Sequence, residues 1–357
     1  MNIDKINQLT NGVYGELTSK DMTCWRVTVD DINHRLFIHD IPEGYIAEKR
    51  TFFNDLYLKK SREIVRAYLP FGYRLKPQNE VEYIDNKLVI YFESSDSKQL
   101  DANEIIAKDY KIPLMKNVNW LIDKQPHALI TGVTGSGKSM MLKYLFKCFL
   151  DLDSDIYVID PKNADLVNVS KRYLNAHYIA VDKKDAICLL EELCEEMELR
   201  QNLMSKYSHR DSTDAYKESL RPIVLFYDEL AALSSQLTTK DEKDKYNSCL
   251  KNLILKGRSA GINVILSMQK PLSQNVPTEI RDQCSFRLVL GRSTPKDTRR
   301  LVFGTNDTST VIINNEKVDN DEWEEGNIAE YGGWYSLPDM KEPYDIFESP
   351  DMTDMKI

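Results

Sequence analysis

The eight residues Gly132-Val133-Thr134-Gly135-Ser136-Gly137-Lys138-Ser139 fit the spacing G-x-x-x-x-G-K-[ST] at every fixed position. That spacing suits one kind of chemistry. The glycines let the backbone wrap closely around a polyphosphate with its N–H groups turned inward. A helix starting at this point directs the positive end of its dipole at the same phosphates. Lys138 is placed to reach β and γ oxygens, and Ser139 to offer its hydroxyl to Mg²⁺. With Met140 completing the run, ATP and Mg²⁺ are the expected ligands.

A pattern this short needs its context. Ala128-Leu129-Ile130-Thr131 is an apolar strand run before the loop, and Met140 to Leu150 is an amphipathic run after it. Strand, loop and helix therefore follow in the order the mechanism requires. Hydrolysis also needs an acidic site for water and metal. Ile223-Val224-Leu225-Phe226-Tyr227 is followed directly by Asp228-Glu229. Asp228, at the carboxyl end of its strand, is expected to hold Mg²⁺ through a water, and Glu229 to polarise the attacking water. The same doublet also suits the N-cap of a helix, so two uses of it are open.

The elements that must position these groups alternate. Strands are expected at 156–159, 178–181, 223–227, 263–267 and 286–290, with a long helical segment over 185–207. Short apolar runs separated by helices predict a mostly parallel sheet covered on both faces. Residues 1–97 read as a smaller α+β module. Strands are expected at 25–29, 35–38 and 87–92, an amphipathic helix at 46–68, and a linker at 93–97. The basic residues Lys49, Arg50, Lys59, Lys60 and Arg62 lie among acids on that helix, the pattern of a solvated face. Residues 98–345 then form the ATPase domain, and 346–357 read as a polar tail.

Composition sets outer limits. With 357 residues, 42% of them hydrophobic and 29% charged, the chain can bury a substantial core and has the make-up of a soluble globular protein. No apolar run approaches the roughly 18 residues of a membrane span, and the first residues lack the features of a signal peptide, so the expected compartment is the cytoplasm. The six cysteines form no C-x-x-C pair and are expected as buried, reduced thiols rather than metal ligands. A net charge of −9 argues against a protein that coats nucleic acid indiscriminately, but leaves room for a ring with a basic pore.

The four blocks GVTGSGKS, VIDPK, IVLFYDELAAL and KGRSAGINVILSMQKP, in that order, resemble the motor domain of the FtsK/SpoIIIE family of DNA translocases. The similarity spans about residues 110–335, and conjugative coupling proteins of Gram-positive mobile elements carry the same motor. The resemblance implies a RecA-like P-loop NTPase core in a homo-oligomeric ring, a hexamer in the family, that hydrolyses ATP and moves DNA, duplex favoured, through a central pore. It implies further roles by position. Gln269 matches the glutamine that senses the γ-phosphate. Arg258 matches an arginine that would reach a neighbouring subunit's ATP, with Arg287 as a second candidate. Lys270 and Arg281 fall in a segment expected to project toward DNA, and Lys240 to Lys245 is another loop candidate. A mobile-element role with a relaxase or replication initiator as partner follows by analogy. Two alternatives stand beside it: a helicase-like motor on single-stranded DNA, and a protein-secretion ATPase of the type VII class. The chain departs from the family in three ways. No membrane anchor is expected, nor, after residue 335, the winged-helix module of the division translocases, and the N-terminal module is expected to lie outside the family pattern.

Overall fold

The computed structural model describes residues 3–19, 26–30, 32, 35–39, 61, 64–65, 73–75, 82–84, 87–94, 99–207, 213–272, 276–291, 293–304, 310–313, 316–319, 331–340, 343–353, 355 and 357. The chain divides into two compact units, one of residues 1–97 with 308–327 and the other of 98–307 with 328–357.

The first unit contains a helix that sequence patterning left unassigned, α1 (Ile3–Ser19). Its Leu9, Val13 and Leu17 recur at four-residue spacing and are fully buried. The sheet of this unit is antiparallel. It runs β1 (Arg26–Asp30), β2 (Arg35–His39), β5 (Lys87–Ser94) and β3 (Tyr73–Leu75), with β4 (Glu82–Ile84) also pairing β5. Leu36, Ile38, Leu88, Ile90 and Phe92 share its core with α1. The helix expected at 46–68, with its five basic residues, lies almost wholly outside the described residues.

The second unit opens with a hairpin, β6 (Lys111–Met115) and β7 (Val118–Leu121), then β8 (Ala128–Gly132) and α2 (Lys138–Asp151). Next come β9 (Asp155–Ile159), α3 (Asp165–Ser170), β10 (Ile179–Ala180) and α4 (Lys183–Tyr207). β11 (Ile223–Asp228), α5 (Leu230–Ser234), α6 (Lys240–Lys256), a 3₁₀ turn at Gly257–Ala260 and β12 (Ile262–Met268) follow. The remainder is α7 (Thr278–Gln283), β13 (Phe286–Leu290), α8 (Lys296–Phe303), β16 (Gly333–Ser336) and β17 (Asp345–Phe347). The hairpin β14 (Thr310–Ile313) and β15 (Glu316–Asp319) groups with the first unit.

The eight-stranded sheet has the order β10-β9-β11-β12-β8-β13-β16-β17. All pairings from β10 to β13 are parallel, and β16 and β17 close one edge antiparallel. Every residue of β8, β11 and β12 is buried, as a sheet covered on both faces requires. Alternation divides them between two cores. Leu129, Leu225, Tyr227, Val264 and Leu266 face α4 and α6, whereas Ala128, Ile130, Val224, Phe226 and Ile265 face α2.

Three expectations change here. Lys240 to Lys245 is the first turn and a half of α6, not a loop. Thr239 caps its start, its side chain accepting from the Glu242 N–H while Glu242 accepts from the Thr239 N–H. The end of the chain is not a free polar tail. β17 pairs with β16, the Ala102 N–H donates to the Asp351 carbonyl, and Met352, Met355 and Ile357 pack against the core. Of the thiols, Cys148 and Cys284 are buried, Cys194 and Cys249 partly so, but Cys188 is exposed; Cys24 lies outside the described residues.

Candidate active site

In a parallel sheet all strands deliver their following loops to one edge, and there the sequence-predicted groups meet. β8 ends in the Gly-rich loop, β9 in Asp160-Pro161-Lys162, β11 in Asp228-Glu229 and β12 in Gln269. Order in the sheet puts β11 and β9 on one side of β8, beyond β12, and β13 and β16 on the other.

The loop has the form a polyphosphate needs. Gly135 and Gly137 hold φ of +81° and +91°, which a side chain would strain. Gly132 is needed for space, since a Cβ there would meet Ser136 Oγ at 2.4 Å and the Leu290 carbonyl at 3.0 Å. Gly137 is the N-cap of α2, no side chain caps that helix, and its first turn holds no acid. The free N–H groups and the dipole end are therefore left for an anion. The buried Ser136 hydroxyl has no hydrogen-bond partner among the described residues, which fits a loop built to close on a ligand.

Lys138 stands at the centre. Its Nζ donates to Asp228 Oδ1 at 2.9 Å and to Ser267 Oγ at 3.0 Å, and Ser267 Oγ donates to the same Asp228 oxygen at 2.7 Å. Both members of the Lys138–Asp228 pair are largely buried. Glu229 follows in a left-handed conformation, φ +55°, with its N–H donating to the Ser267 carbonyl at 2.8 Å. A non-glycine residue held there stores about 1 kcal/mol or more of strain, a feature that clusters at functional sites. Glu229 is the N-cap of α5, yet its side chain makes no capping bond. Its carboxylate instead accepts from Lys162 Nζ at 2.9 Å. Of the two uses the sequence left open, side-chain capping is the one the geometry does not display.

Asp160 organises the turn that carries Lys162. Fully buried, it accepts the Lys162 N–H at 2.9 Å and the Ala164 N–H at 2.8 Å. Burial raises its pKa above the usual carboxylate range, and these two N–H groups oppose the shift.

The remaining sequence candidates divide. Ser139, Met140, Gln269 and Lys270 are exposed at this same edge. Arg258 is also exposed, and its guanidinium has no partner among the described residues, but the 3₁₀ turn bearing it leads into the amino end of β12. Seven strand residues, at ~3.3 Å each, separate it from the Gly-rich edge by about 20 Å. Arg281 corrects its expectation. It lies on α7, is 8% exposed, and donates to the Pro271 and Leu301 carbonyls and to Thr278 Oγ1. A guanidinium so engaged holds the fold together and does not present itself to DNA. Arg287 is similarly tied, to the Cys284 and Val302 carbonyls and to Asp282.

Sequence reasoning gave no role to Ser267 or Lys162. A buried polar residue near the carboxyl end of the largely apolar strand INVILSM, whose other polar residue is Asn263, was the available signal for the first. For the second it was the VIDPK block itself.

A model of the FtsK/SpoIIIE family matches residues 104–297, more than half of the chain and all of the residues just described up to β13. The chain belongs to the FtsK/SpoIIIE family. Among its relatives, the FtsK domain-containing protein YdcQ of Bacillus subtilis (strain 168) is 32% identical over 194 residues, covering 54% of this chain and 40% of YdcQ. The DNA translocase SftA of the same organism is 26% identical over 193 residues, covering 51% of this chain and 20% of SftA. The chain thus spans well under half the length of these curated relatives. Among solved structures, the pCW3 conjugation coupling protein TcpA, in a monomer form with ATPγS, aligns over 97% of this chain and 95% of its own with a TM-score of 0.57. At 15% identity that likeness concerns the fold, a RecA-like P-loop ATPase architecture. Among the described residues no helix is long and apolar enough to cross a membrane.

Proposed function

We propose that this FtsK/SpoIIIE family chain is an ATP-driven DNA translocase working as a ring, six subunits by resemblance to its family. The observation that carries the proposal is a division across the sheet. Lys138, Asp228 and Glu229 gather at the carboxyl edge, while Arg258, exposed and without a partner among the described residues, stands about 20 Å away at the amino edge. A hydrolytic site in one subunit with its arginine turned toward a neighbour is the arrangement in which ATP sits between copies.

The chemistry follows from the residues. Lys138 would exchange Asp228 for the β and γ oxygens of ATP, moving its charge to where negative charge spreads in phosphoryl transfer. Glu229, released from Lys162, would accept the proton of the attacking water. Mg²⁺ held by Ser139 and Asp228 would neutralise the β and γ oxygens. Gln269 would report the γ-phosphate to β12, and Arg258 of a neighbour would stabilise the transition state, an effect worth about 10³–10⁵ in rate where such fingers act. Lys270, exposed just past β12, is the residue proposed to meet the DNA backbone, positioning without reading sequence. The reading extends to DNA transfer or replication of a mobile element in the cytoplasm, with a relaxase or replication initiator as partner.

The test is steady-state ATP hydrolysis alone, with duplex DNA of increasing length, and with single strands, using Lys138→Ala as the blank. Stimulation that rises with duplex length is the expected result. In mixtures of Glu229→Gln with Arg258→Ala, partial recovery of activity is expected, because some interfaces then pair an intact Glu229 with an intact Arg258. Hydrolysis indifferent to DNA would refute the translocase reading, and stimulation by single strands alone would reassign it to a helicase-like motor.

A further inference from the structure

We infer that Tyr331 is the platform on which the nucleotide base stacks, which sets this site toward purine nucleotides. The inference rests on the nucleotide reading above. The groups that would face the γ-phosphate, Asp228, Glu229 and Lys162, stand on β11 and β9, to one side of β8. A triphosphate threaded through the loop with its γ end toward them must leave by the opposite side, over β13 and β16. Tyr331 lies there, two residues before β16 begins. A Cβ built on Gly137 would lie 3.3 Å from both Cβ and Cδ1 of Tyr331, a crowded approach, so the ring stands beside the cap of α2.

The placement of this ring is held by the backbone rather than by its own side chain. The Gly291 N–H donates to the Gly332 carbonyl at 2.8 Å, and Ser349 Oγ donates to the Tyr331 carbonyl. Leu290 pairs with Gly333, where a Cβ would meet the Val289 carbonyl at 1.9 Å, so β16 cannot shift away from β13 without losing that fit. The side chain itself is 53% exposed, and its hydroxyl has no hydrogen-bond partner among the described residues. A fixed backbone carrying an uncovered aromatic ring beside a phosphate loop is suited to a flat, apolar ligand face. Stacking favours the larger purine rings and by itself separates adenine from guanine only weakly.

Binding to the full chain tests this, with ATP, CTP and inorganic tripolyphosphate as the probes. Tyr331→Ala should weaken ATP about tenfold, the scale of one base–aromatic stack, and leave tripolyphosphate affinity as in the wild type. Tyr331→Phe, which keeps the ring, should bind ATP like the wild type. CTP should bind the wild type more weakly than ATP, with the difference narrowing in Tyr331→Ala. Unchanged ATP affinity in Tyr331→Ala would overturn the inference, as would an equal loss of tripolyphosphate, which would mean a distorted loop. If the wild type binds none of the three probes, the nucleotide reading falls first and this inference with it.

Discussion

Replacing Lys162 with Met removes the cation that holds the proposed general base and keeps most of the side chain's length. Lys162 Nζ lies 2.9 Å from Glu229 Oε2, with the lysine side chain 49% exposed and the glutamate 12%. Two unit charges at that separation attract by about 6 kcal/mol at an effective dielectric of 20, an upper bound. The half-exposed lysine remains hydrated and mobile, so the net worth of the pair falls to about 0.5–1 kcal/mol. If Glu229 must leave Lys162 before it can accept a proton, each turnover carries that cost. Removing it should then speed DNA-free hydrolysis at saturating ATP by about two- to fivefold.

The assay is steady-state phosphate release by wild type, Lys162→Met, Lys162→Arg and Glu229→Gln at low and high salt. Lys162→Arg preserves the pair and should stay near the wild type. The advantage of Lys162→Met should shrink as salt rises, because the half-exposed pair it lacks is itself weakened. Glu229→Gln should lose about 10²–10⁴ in turnover, the usual contribution of a positioned base, while retaining ATP binding. A Lys162→Met rate that falls toward that of Glu229→Gln would refute the reasoning. Lys162 would then be holding the carboxylate in its working position rather than restraining it.

Two further outcomes are expected. Burial lowers the His127 pKa from 6.5 to about 4, where its Nδ1 accepts the Val264 N–H at 3.1 Å. The unfolded chain then binds this proton more readily between those values, so stability is full above pH 6.5 and declines by on the order of 3 kcal/mol as pH falls to 4. His127→Asn, which keeps an acceptor and tolerates the local φ of +59°, should flatten that part of the pH dependence of the urea midpoint; an unchanged slope would refute it. Arg281→Ala should cost about 2 kcal/mol of stability by stranding the buried Pro271 carbonyl and removing the donor to the part-buried Leu301 carbonyl, whereas the exposed Lys270→Ala should cost under ~0.5 kcal/mol. Lys270→Ala should instead weaken DNA binding and reduce its salt slope by about one, and the reverse pattern would restore Arg281 as the DNA contact.

The parts of this site that the sequence displays are those whose chemistry is local. A phosphate loop needs its glycines, lysine and serine within eight residues, and an acidic doublet at a strand end needs only the strand before it. The strands themselves are legible because burial on both faces makes them continuously apolar. Local signals were also present where they went unread. Leu9, Val13 and Leu17 mark one face of α1, and Thr239 with Glu242 spells the capping box that starts α6. What no local pattern contains is the pairing of charges across the sheet. Lys162 meets Glu229 over 67 residues, and Lys138 meets Asp228 over 90, because β9, β11, β12 and β8 lie side by side.

Arginines show the limit most sharply. Arg258, Arg281 and Arg287 look alike in a sequence, each a cation near a motif. Folding separates them by asking where their donors go. Arg281 and Arg287 spend theirs on carbonyls of their own chain, and Arg258 alone of the three keeps its guanidinium unpartnered among the described residues. Because the turn that bears it feeds the amino end of β12, no side-chain rotation brings it to the phosphate loop at the other end of the same sheet. A role for Arg258 in hydrolysis therefore requires a second copy of the chain, and a role without one must lie away from the nucleotide.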